Sequence, residues 1–60
     1  MNYVNTPAYK LIESLNKYQL KVKKHRILEG IRYHKENNRM TRVNELLLQY
    51  EHIEKRLRWN

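Results

Sequence analysis

The stretch Val43-Asn44-Glu45-Leu46-Leu47-Leu48-Gln49-Tyr50-Glu51-His52-Ile53-Glu54-Lys55-Arg56-Leu57 decides the fold. Its Val43, Leu46, Tyr50, Ile53 and Leu57 recur at spacings of three and four residues, the period of one face of an α-helix. Met40 and Leu47 widen that stripe. Glu51 precedes Lys55 by four residues, and Glu54 precedes Arg58 by four, which is the favourable order for ion pairs along a helix. A helix is expected over about 40–58.

Upstream of it, Asn37-Asn38 is the turn-like dipeptide of the interior. Asn tolerates the left-handed conformation that ends a helix, and its side chain can cap the next one. A turn is therefore expected at 37–39. Further back, Thr6-Pro7 opens a helix: Thr is a good N-cap, and Pro at the first helical position loses no hydrogen bond. Ala8, Leu11, Ile12, Leu15, Tyr18 and Val22 follow at helical spacing, so the helix is expected to run at least to Lys24.

Beyond Lys24 the apolar face moves. Leu20, Ile27 and Ile31 point roughly 150° away from the Ala8–Val22 face. Either the helix breaks near His25, or one long or kinked helix continues to about Glu36. The lack of a turn cluster between Lys24 and Arg26 favours the long helix. Gly30 weakens a helix interior by up to about 1 kcal/mol relative to Ala, which does not force a break. Met1–Asn5 is expected as a flexible arm.

These elements make a single all-α domain, a helical hairpin of two long helices. A two-helix hairpin buries one seam and leaves Leu20, Ile27, Leu28 and Ile31 without cover, with Leu48 on the far side of the last helix. A chain of 60 residues is also short for a self-sufficient core. It has no Cys to staple it. A second copy is the expected remedy, giving a dimeric four-helix arrangement. The candidate core and dimer-interface residues are Val43, Leu46, Leu47, Tyr50, Ile53, Leu57, Leu28 and Ile31.

Composition narrows the function. One Ser (Ser14), two Thr (Thr6 and Thr41), no Cys and no Asp do not assemble a nucleophile with its base and orienting group. Gly30 is the single glycine, so no phosphate-cradling loop exists. Glu51 and Glu54 read as solvated carboxylates, each with a basic residue a turn away. His25, His34 and His52 do not share a helical turn, which argues against a metal site. No catalytic residue, cofactor, metal or small-molecule substrate is expected. The longest apolar run, Leu46-Leu47-Leu48, is far short of the roughly 20 residues of a membrane span. Met1–Asn5 has neither the positive region nor the apolar run of a signal peptide, so a cytoplasmic location is expected.

The net charge of +7 points to a polyanionic partner. The candidate residues for it are Lys17, Lys21, Lys23, Lys24, Arg26, Arg32, Lys35, Arg39 and Arg42. No Glu interleaves from Lys17 to Arg26, whereas an ordinary solvated face mixes signs. Asn and Lys number seven each and Tyr five, a bias toward AT-rich codons that suggests a low-GC bacterium or its phage. The expected function is that of a small basic regulator or adaptor, which binds and modulates a host protein through a helical surface. The alternative is a dimeric DNA- or RNA-binding protein that grips the phosphate backbone, with Tyr33 beside Arg32 placed to stack on a base.

Overall fold

A computed structural model describes residues 3–59. Tyr3–Asn5 form a short 3-10 turn, followed by α1 (Pro7–Ser14), α2 (Lys17–Glu36) and α3 (Met40–Trp59). The described residues are thus almost wholly helical and contain no strand. The helix expected to run from Pro7 to about Glu36 is two helices. The break lies at Leu15–Asn16, about one turn after Ile12, while residues 24–30 are continuously helical.

The break has a local cause. Asn16 accepts the Gln19 backbone N–H on Oδ1 at 2.8 Å, and Gln19 Oε1 accepts the Asn16 N–H at 3.0 Å. This reciprocal capping box satisfies two donors at the start of α2 and restarts the helical register there. At the end of α1, Leu15 is extended, and the Arg56 guanidinium of α3 donates to the carbonyls of Ile12 and Glu13, each at 2.8 Å. An uninterrupted helix would already have used those carbonyls.

Resetting the register changes which face is buried. Leu20 and Ile27 of α2 enter the core beside Ile12 of α1 and Leu46 and Ile53 of α3. Leu15, Ile31, Tyr50 and Leu57 pack on the edge of that cluster. Leu11, Tyr18 and Val22, placed by periodicity on the core face, are exposed instead, Tyr18 to 75%. Of the four residues expected to lack cover, only Leu28 is exposed.

The turn after α2 is built by asparagines. Asn38 takes a positive φ of 57°, which Asn tolerates better than most residues. Arg39 N–H then donates to His34 C=O at 2.9 Å and Asn38 N–H to Lys35 C=O at 3.2 Å, the paired bonds of a Schellman ending. Asn37 Nδ2 adds a bond to Tyr33 C=O at 2.8 Å. The chain thus reverses, and α3 runs back along α2: Lys24 meets Glu54, and Gly30 faces Leu46. A Cβ at Gly30 would lie 3.3 Å from Leu46 Cδ1, so the glycine allows the two helices to approach closely there. The Cα atoms span 34 × 25 × 15 Å.

Residues 3–5 are part of this packing and not a free arm. Thr6 caps α1 with Oγ1 and donates the same hydroxyl to Tyr3 C=O at 2.6 Å. Tyr3 in turn reaches α3. Met1 and Asn2 lie outside the described residues.

Candidate interaction surface

α3 has two flanks, and each meets something different. At about 100° per residue, Glu45, Gln49, His52 and Arg56 share one flank, and Leu47, Tyr50, Glu54 and Arg58 share another. The first flank receives the N-terminal segment. Tyr3 Oη is 3.0 Å from His52 Nδ1, and His52 Nε2 is 2.7 Å from Glu13 Oε2. A neutral imidazole protonated on Nε2 satisfies both contacts, accepting from Tyr3 and donating to Glu13. The Tyr9 ring stacks on His52 with centroids 4.4 Å apart. Tyr3 meets both rings edge-on. Burial, with the neighbouring Tyr9 and Glu13 adding to it, raises the Tyr3 hydroxyl above its ordinary pKa.

The second flank meets α2. The Lys24 ammonium lies 2.9 Å from Glu54 Oε1 and 5.8 Å from the centre of the Tyr50 ring. The hydrogen bond to Glu54 raises Lys24, and the Lys24 and Tyr50 hydrogen bonds hold the Glu54 carboxyl below its ordinary range. Tyr50 is raised through the same carboxylate.

Charge is concentrated on α2, which carries seven Lys/Arg against two Glu. Helical register places Lys17, Lys21, Lys24, Leu28, Arg32 and Lys35 in one strip, the strip that the Lys24–Glu54 bridge ties to α3. Lys17, Lys21, Arg32 and Lys35 are exposed and enter no ion pair among the described residues. Lys24 is spent on the bridge.

The nine basic residues read from the sequence therefore do not form one patch. Lys23 and Arg26 lie around the helix from that strip and line a shallow recess of about 250 Å³ with Tyr18, Gln19 and Val22. Arg39 and Arg42 sit at the turn end: Arg39 lies 5.9 Å from the Tyr33 ring centre, and Arg42 pairs with Glu45 at 2.9 Å.

The apolar stripe of α3 is largely used by the chain itself. Val43, Leu46 and Ile53 are buried, and Ile31, Tyr50 and Leu57 are half-buried. Leu28 (44%) and Leu47 (43%) remain exposed, as does Met40 (54%). Leu48, equally exposed at 48%, lines a different groove of about 450 Å³ with Tyr3, Pro7 and Ala8.

Sequence reasoning missed the Tyr3–His52–Glu13 chain and the Arg56 bonds to α1. These join residues 39 to 49 positions apart, and no local pattern announces them. The Asn16-x-x-Gln19 box, in contrast, is a local capping pattern, which a reading by apolar periodicity passed over. Among the described residues, no group of His or Glu side chains gathers as a metal site, and no helix is long and apolar enough to cross a membrane. Comparison with protein families, curated proteins and solved structures returns no match.

Proposed function

We propose that this chain is a non-enzymatic binding module that docks the basic flank of α2 on an acidic surface of a partner protein and modulates that partner. The observation that carries the reading is the strip Lys17–Lys21–Leu28–Arg32–Lys35, with its four cations exposed, in no ion pair among the described residues, and interrupted by an exposed leucine. Cations alone suit any polyanion. An apolar side chain embedded among them suits a protein surface, where burying it adds binding energy.

A second reading, nucleic-acid binding, is favoured by one feature. The exposed Tyr33 ring, with Arg39 over it and Arg32 and Lys35 on the same helical turn, resembles a base-stacking platform in a positive field. The two readings share Arg32 and Lys35 and differ in what else they use: Lys17, Lys21 and Leu28 for an acidic protein, Tyr33 and Arg39 for a base.

The test is a charge-reversal triple, Lys17→Glu, Lys21→Glu and Lys35→Glu, at exposed positions that make no described ion pair. Circular dichroism should show unchanged helicity. Chemical cross-linking in cell extract should capture an acidic protein with the native chain and lose it with the triple. If the native chain instead retards any duplex offered, with affinity falling log-linearly in salt, the second reading stands. Equal capture by native and reversed chains would overturn the first reading, and failure to retard any duplex would overturn the second.

A further inference from the structure

A pair of antiparallel helices presents two grooves, one along each side of its seam. In this molecule α1 and the 3-10 turn fill one of them, pinned by His52, Arg56 and Ile12. The other runs along the Lys24–Glu54 side and is covered by none of the described residues. Its floor is apolar and half-buried (Ile31, Tyr50 and Leu57), and exposed Leu28, Leu47 and Met40 extend it. From Met40 to Leu57 this row covers about 26 Å at about 1.5 Å per residue, the length of a helix of roughly 18 residues.

Resting on the reading above, we infer that this groove takes an amphipathic helix of the partner whose apolar stripe lies on Leu28 and Leu47 and whose acidic flank faces α2. The helix occupies the fourth position of a bundle of which this chain supplies three. Charge selects that occupant. The α2 bank carries Lys17, Lys21, Arg32 and Lys35 and no acid: Glu29 and Glu36 of α2 project from its outer side. The α3 bank is mixed, with Glu51 and Glu54 near Arg58. A helix with carboxylates on one side and neutral or mixed charge on the other complements both banks. A second copy of this chain brings another +7 and its own basic strip, so long-range repulsion opposes it.

Leu47 and Leu48 make the decisive pair. They are neighbours in sequence and nearly equally exposed, yet Leu47 lies on the open groove and Leu48 beside Tyr3 and Pro7. The probe is a synthetic helix of about 18 residues, with a leucine stripe and glutamates along one flank, matched to the length of α3. A peptide of identical composition in scrambled order, without the stripe, is the control. Binding is followed on the full isotope-labelled chain by chemical-shift changes.

The striped peptide should perturb Leu28 and Leu47. Leu47→Asp should weaken it by about tenfold or more, the loss expected when a contact leucine can no longer be buried, while Leu48→Asp should leave it within about twofold. Both positions are exposed, so both variants should remain helical by circular dichroism. Equal binding of the scrambled peptide, or equal effects of the two substitutions, would overturn the groove assignment. That outcome would leave the basic strip of α2 as an anion-docking face, which the charge-reversal triple tests separately. Failure of the striped peptide to bind overturns it too. Sedimentation equilibrium that shows a dimer split by Leu47→Asp would assign the groove to a second copy and overturn the inferred occupant.

Discussion

The two flanks of α3 hold their neighbours by opposite means. On the flank of His52 and Arg56, the short α1 contributes a single fully buried side chain, Ile12, and is otherwise fixed by directional polar bonds and stacked rings. On the flank of Glu54, the 20-residue α2 is held by an apolar seam, with one cross-helix ion pair between partly exposed side chains. An eight-residue helix cannot bury enough surface to hold its place by hydrophobic contact alone. Hydrogen bonds to its unsatisfied terminal carbonyls supply what its length does not. A long helix needs no such aid, and its outer face is left available for charge.

That contrast can be broken from the centre outward. Ile53 is fully buried where α1, α2 and α3 meet, so Ile53→Ala removes packing from both sides at once. Large-to-small changes at such sites cost about 2–5 kcal/mol, comparable to the whole stability of a domain this small. Urea denaturation should find the variant largely unfolded in water, without separate transitions for the two flanks.

Arg56→Met should separate the flanks. It removes the guanidinium bonds to the Ile12 and Glu13 carbonyls, leaving Ile12 C=O only the longer bond from Leu15 N–H, and loosens the Glu13 carboxylate, at a cost of about 1–3 kcal/mol. Hydrogen exchange should speed up in residues 7–14 and change little at the seam between α2 and α3. Uniform acceleration along the chain would show that α1 is integral to one cooperative unit.

The smallest effect is expected for Lys24→Met. Its sign follows from the two titrating partners. Glu54, lowered from 4.5 by its Lys24 and Tyr50 hydrogen bonds, stabilises fully above that ordinary value, and its contribution is lost as pH falls through the depressed one. Lys24, raised from 10.5 chiefly by Glu54, contributes fully below 10.5 and loses its effect as pH rises through the elevated value. Denaturation midpoints of native and variant chains should therefore differ modestly at neutral pH and converge in acid. A difference that persists once Glu54 is protonated would show that the lysine stem packs on Tyr50 more than its charge binds Glu54.

What the amino-acid order determined by itself is what depends on neighbours within a turn or two. The all-helical class follows from the three-four recurrence of apolar residues, and so does the burial of Val43, Leu46 and Ile53 on α3. The concentration of positive charge between Lys17 and Lys35 needs no coordinates at all. The break at Leu15–Asn16 lay between the two kinds of information. Its capping box was written locally, but Leu15, Tyr18 and Val22 continued the period of α1 across it, and periodicity alone favoured an unbroken helix. Tertiary structure decided against continuity, because bending there sends Ile12 to the core beside Leu20 and Ile53 and frees the α1 carbonyls for Arg56. The same holds for the Tyr3–His52–Glu13 chain and for the choice of which groove stays open. Both depend on residues tens of positions apart, whose meeting is set by the packing of whole helices and by no propensity that a residue carries alone.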